Sequence, residues 1–146
     1  MAHTPIEETP VYQDFCAVSD EIWDLVANWD SFAKSTVGKQ LVTAIDSVAA
    51  NLVEGDGRGS DPDALRFFRY ARGSARESRH WLARALVRKL INTEVCKRLQ
   101  SVIVSNTKGL NGLIRYRRSA MLGVKEATKS YGESDSQLSV FVGDED

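Results

Sequence analysis

Long apolar runs are what this 146-residue chain most plainly lacks. No stretch approaches the roughly 18 consecutive apolar residues of a membrane-crossing helix, so a bilayer-spanning protein is excluded and no membrane partner is expected. Cysteine is scarce: Cys16 and Cys96 lie far apart with no metal-ligand spacing around either, which removes a disulfide framework and a zinc ribbon. Histidine is limited to His3 and His80. The opening "MAHTPIEETP" is acidic and broken by proline, without the basic-then-apolar pattern of an export signal. A cytoplasmic protein with two buried thiols is the expectation. The length suits one domain with a modest core.

Strand-like alternation is also nearly absent, and helical periodicity takes its place. From Val11 the apolar positions run through Phe15, Val18, Ile22, Leu25, Val26 and Trp29, with Asp20, Glu21 and Asp24 on the opposite face. A second row, Val37, Leu41, Ala44, Ile45, Val48 and Leu52, is expected to stop at Gly55. A third helix starts at Ser60 or Asp61, tolerates Pro62 in its first turn, and carries Leu65, Phe68, Ala71, Ala75, Leu82, Leu86 and Leu90. Asn92 or Thr93 caps a fourth, built on Val95, Leu99, Val102, Ile103, Leu110 and Leu113. Gly109 and Gly112 weaken it and suggest close approach to a neighbour. The chain therefore reads as all-α: an up-and-down four-helix bundle over residues 11–123, an N-terminal arm over 1–10, and a mobile, polar, acidic tail over 124–146.

The net charge of −1 conceals a segregation. Residues 1–57 hold ten acidic residues against Lys34 and Lys39, whereas residues 58–118 hold fifteen Lys and Arg against four acids. One half of the molecule attracts anions and the other repels them.

The stretch "NLVEGDGRGSDPDALRFF" is the one place where glycines cluster. A dinucleotide site needs G-x-G-x-x-G after a strand, and a phosphate loop needs a Lys-Ser/Thr ending; neither is present. Counting a calcium loop from Asp56 puts the cation Arg58 where a carboxylate belongs. The expectation is a helix–helix corner whose glycines permit positive φ. Free N–H groups at the start of the third helix, with Arg58, offer a weaker alternative as a phosphate-oxygen site.

Around this corner, Asn51, Glu54 and Gly55 are followed by Gly57, Arg58 and Ser60, then Phe67 and Phe68, then Ala71, Gly73, Ser74 and Glu77. In this order the residues resemble the signature of a bacterial four-helix-bundle family first noticed as reading frames in intervening sequences of 23S rRNA. The resemblance spans about residues 11–118, with Leu52-Val53 in place of the usual Ile-Ala. It implies a homopentameric bundle without established catalytic residues. It also implies kinship with accessory proteins of diversity-generating retroelements, which bind reverse transcriptase and nucleic acid. Asn51 and Glu54 are then expected to satisfy backbone groups at the corner, and Gly73-Ser74 to allow close helix packing.

Enzymatic constellations are missing. Glu77 and His80 match half of a di-iron Glu-x-x-His pair, but the second half has no histidine to build it, so no metal and no cofactor are expected. Cys16 has no activating base nearby in sequence. The arginines say more. Arg69, Arg72, Arg76 and Arg79 fall within about 80° on one helix. Lys97, Lys108 and Arg115 line up on the next, which "RYRR", Arg115 to Arg118, is expected to close. With Arg58 these form a candidate phosphate-tracking surface, and Tyr116 offers a ring for stacking. The competing reading is a solvated face whose cations pair with acids or favour a helix C-terminus. Phe67, Tyr70, Ser74 and Trp81 make a second flank on the third helix, suited to a partner subunit. Two readings of function stay open: a non-enzymatic, ring-forming nucleic-acid-binding or scaffolding accessory protein, or a protein–protein adaptor whose cations serve subunit contacts.

Overall fold

The computed structural model describes residues 3–129, with side chains through residue 123. Four long helices make the bundle: α1 (Pro10–Ala27), α2 (Lys39–Asp56), α3 (Asp61–Val87) and α4 (Thr93–Lys129). Each packs against the next in sequence, and α4 closes the ring of helices against α1; α2 and α3 share the broadest contact. The interior is one apolar cluster. Phe15 and Ile22 of α1, Leu41, Ile45 and Leu52 of α2, Leu65, Phe68 and Leu82 of α3, and Leu99, Ile103, Leu110 and Ile114 of α4 are all fully buried. Burial of this kind is the main driving force for the fold.

The chain ends each helix by local chemistry. Thr9 caps α1 by accepting from the Tyr12 N–H, and Ser60 caps α3 by accepting from Asp63, with Pro62 in the first turn. Asn92 caps α4: its Oδ1 accepts the Val95 N–H at 2.8 Å. The third helix stops at Val87, short of Leu90. Lys89 takes φ 62°, the Leu90 N–H donates to the Ala85 carbonyl and the Lys89 N–H to that of Leu86. These bonds define a Schellman stop, which turns Leu90 back onto the core from outside the helix.

Four expectations need correction. The glycines of the 55–59 corner do not use positive φ: Gly57 has φ −82°, and Lys89 is the only non-glycine with positive φ among the described residues. Gly55 lies inside α2, and its lack of a side chain serves packing instead. A β-carbon there would stand 2.8 Å from Cε1 of Phe68 and 3.0 Å from the Ala64 carbonyl oxygen. Gly73 does not serve helix packing within the protomer, because a β-carbon there meets nothing within 4 Å. The fourth helix does not close at Arg118 but runs on to Lys129, about three further turns. Of the other two glycines, Gly109 faces Val11 of α1 at ordinary contact distance, and Gly112 meets only Arg115 of its own helix.

Two features were absent from the sequence reading. A turn of α-helix at Ser31–Ala33 passes into a π-helical segment, Lys34–Gly38, before α2 begins. The N-terminal arm is also docked: a 3₁₀ turn, Ile6–Glu8, buries Ile6 in the core. Cys96 is buried as expected, while Cys16 is only half-buried. The Cys16 thiol lies beside the Tyr12 hydroxyl, and the hydrogen bond between them pushes the phenol above its ordinary value. The expected tail falls largely outside the described residues.

Candidate nucleic-acid and subunit surfaces

The arginine stripe of α3 borders the seam with α4. Arg72 Nη1 donates to Asn111 Oδ1 at 3.1 Å, and Arg79 Nε donates to Gln100 Oε1 at 3.0 Å. Gln100 returns a bond from its amide to the Arg79 carbonyl at 2.8 Å. Gln100 and Asn111 are eleven positions apart, so they share one row of α4. Lys97, Lys108 and Arg115 stand about 40–60° further round α4 than that row, on the side away from the core. Arg76 holds the matching outer position on α3, and all four of these cations are exposed. The result is a bonded seam with three outer cations along its α4 side and Arg76 on its α3 side. Arg69 is half-buried on the α3 side, and Arg118 is half-buried on α4.

Among the described residues, no carboxylate comes within ion-pair distance of Arg76, Lys97, Lys108 or Arg115. Because α4 continues well past Arg118, the Arg115–Arg118 cations lie mid-helix, too far from the C-terminal carbonyls for the helix dipole to account for them. Tyr116 is 66% exposed beside them.

Arg58 is committed elsewhere. Its Nη2 lies 2.8 Å from Glu54 Oε2, and its guanidinium sits 4.5 Å over the Phe67 ring. Glu54 thus serves a side chain rather than corner backbone. Asn51 donates to the Ser47 carbonyl one turn back in its own helix, at 2.8 Å. Neither residue reaches the free backbone groups of the corner as expected.

A cation that sequence reasoning missed organises that end of the bundle. Arg117 reaches Asp61 at 3.2 Å and Asp56 at 3.7 Å, with its guanidinium 5.5 Å over the Phe68 ring. Asp56 also accepts the Ile6 N–H at 3.1 Å and contacts His3 Nε2 at 3.0 Å. Asp56 and Arg117 together therefore join the arm, the end of α2, the start of α3 and the middle of α4. Arg98, likewise unforeseen, pairs with Glu21 across α4 and α1. Both pairs involve residues far apart in sequence, so local spacing carried no sign of them.

The aromatic flank divides into two parts. Phe67 and Tyr70 meet edge to face at 5.5 Å, and Arg66 lies 4.8 Å over the Phe67 ring. Tyr70 is 49% exposed. Trp81, three turns on, packs partly on the core, donates its indole N–H to Glu77 at 3.1 Å and meets His80 edge-on. Ser74 lies between them, half-buried, its carbonyl accepting from the Ser78 hydroxyl. Exposed Gly73 falls between this flank and the arginine stripe. Among the described residues, no three of the His, Cys, Asp and Glu side chains gather as a metal site would require, and no helix is long and apolar enough to cross a membrane.

No curated protein matches this sequence. A solved structure from Bacteroides thetaiotaomicron, described as a protein with unknown function from the S23 ribosomal protein family, superposes with a TM-score of 0.64 at 20% identity, over 71% of this chain and 97% of that one. That likeness supports the bundle fold. The family model for the 23S rRNA-intervening sequence protein matches residues 7–112, which include the α2–α3 corner, the arginine stripe and the Gln100–Asn111 seam; the chain belongs to that family.

Proposed function

We propose that the protein is a non-enzymatic, cytoplasmic, ring-forming homo-oligomer that binds RNA or DNA as an accessory or scaffolding factor. The observation that carries this reading is the α3–α4 face. Four exposed cations, Arg76, Lys97, Lys108 and Arg115, border a bonded seam with no described carboxylate at ion-pair distance. A surface of that sign attracts a polyanion, and the attraction weakens with salt through counterion release. Head-to-tail contact between an acidic and a basic half suits closed rings, and the pentamer implied by the family resemblance is one such ring. Exposed Gly73 supports a subunit contact on the same helix, since a mid-helix glycine with open space above it has no reason within a lone protomer.

The experiment is a titration of labelled single-stranded RNA and DNA with the wild type and with Lys97→Glu/Lys108→Glu/Arg115→Glu, at several salt concentrations. Steep loss of affinity with salt, together with about a hundredfold weakening in the variant, supports the reading. Absence of binding at low salt assigns the cations to protein contacts instead, as in an adaptor for a reverse transcriptase or another protein.

A further inference from the structure

The acidic half of the molecule contains its own anomaly. Residues 1–57 carry only two basic side chains, Lys34 and Lys39, and both line the same groove. The groove opens at the α1–α2 corner, encloses about 350 Å³, and has walls made by Trp23, Val26 and Val42. Its volume falls within the range of small-molecule sites, which runs from about 300 to 1,000 Å³. Trp23 leaves 60% of its surface exposed there. Among the described residues, no carboxylate is within ion-pair distance of either lysine.

The backbone explains how the two lysines come together. Five positions apart on an α-helix, they would point about 140° away from one another. Here the chain from Lys34 to Gly38 is π-helical, and its i→i+5 bonding places residues five apart about one turn above each other. Gly38 makes the arrangement possible. A β-carbon at that position would stand 2.6 Å from Val26 Cγ1 and 3.2 Å from the Ala33 carbonyl oxygen, so any larger residue would push this wall off α1. A rare backbone form, a glycine without room for a methyl group, and the only cations of the acidic half thus converge on one apolar groove.

From this convergence we infer that the α1–α2 groove is a binding site for a small amphiphilic anion, an aryl or short acyl group bearing one acidic head. The apolar body lies along Trp23, Val26 and Val42, and the head is held by the Lys34 and Lys39 ammonium groups. The net acidity of residues 1–57 repels anions in general, so charge alone is insufficient and the ligand needs its apolar part to stay. The site is independent of the α3–α4 face and does not rest on nucleic-acid binding.

The test uses the full chain with the fluorescent sulfonate anilinonaphthalene sulfonate as probe and octanoate or octanol as competitor. Octanoate is expected to displace the probe at about tenfold lower concentration than octanol. Lys34→Gln/Lys39→Gln, two exposed changes, is expected to remove that advantage at an unchanged melting temperature. Thr43→Trp, which places a ring over the groove from an exposed position of α2, is expected to abolish octanoate competition altogether. Equal displacement by octanoate and octanol in the wild type, or competition unchanged in both variants, would overturn the assignment.

Discussion

Two glycines of the family signature have opposite duties, and a single methyl group tells them apart. At Gly55 a β-carbon would strike the Phe68 ring and the Ala64 carbonyl, so Gly55→Ala is expected to destabilise the fold by about 1–3 kcal/mol. At Gly73 it would meet nothing, so Gly73→Ala is expected to stabilise the isolated protomer by about 0.5–1 kcal/mol. Urea titrations of both variants, at a concentration where the wild type is monomeric, check the pair. A destabilised Gly73→Ala protomer would show that helix propensity is not what the position costs. Arg117 is the other residue of consequence: 18% exposed, it faces two aspartates, and its loss leaves Asp56 and Asp61 without their cation. Arg117→Met is expected to cost about 2 kcal/mol, read from the same titrations. The sequence showed that these glycines matter but not how, because the difference lies in which helix stands opposite each one.

Helix starts were legible at α3 and α4, where a short polar side chain announced them. Ser60 and Asn92 cap as their type requires and lie where the apolar rows begin again, whereas the caps at Thr9 and Asp30 went unread. The far ends were less readable. The stop after Val87 hangs on Lys89 in a left-handed conformation that glycine adopts without strain, so no residue type marked it. Lys89→Gly is accordingly expected to stabilise α3 by up to about 1 kcal/mol, seen as a higher melting temperature. The π-helical segment escaped notice because a row such as Val37 and Leu41 fits an α-helix equally well. What sets it apart is an extra residue in the turn, absorbed by the contact of Gly38 with α1. The continuation of α4 to Lys129 went unseen because its apolar row fades after Met121, while its backbone stays helical.

For the molecule as a whole, the sequence disclosed the four-helix architecture and the segregation of charge, since both are sums over many residues. The cross-links between halves, Arg98 to Glu21 and Arg117 to Asp56, depend on tertiary neighbours and were beyond its reach. These links neutralise part of the basic half and leave the α3–α4 face outward, so the salt dependence of any polyanion binding should follow Lys97, Lys108 and Arg115 rather than Arg58. Assembly offers a second global test. Tyr70→Arg, at a position 49% exposed, is expected to lower the mass of the proposed oligomer by light scattering without unfolding the protomer. Trp81→Arg is expected to do the same with some loss of stability, because Trp81 also packs on the core. An unchanged mass in both would remove the aromatic flank from the subunit contact.

The position of Arg117 also sets an order of events in biosynthesis. Asp56 and the N-terminal arm are made early, but the guanidinium that completes their junction emerges only when the fourth helix is well advanced. A nascent chain halted before that point would hold three helices with the arm joined to Asp56 but no guanidinium bridging Asp56 to Asp61, and its core, not yet covered by α4, would be open to chaperones and proteases. In this bundle, the tie between Asp56 and Asp61 comes from a single cation made late in the chain.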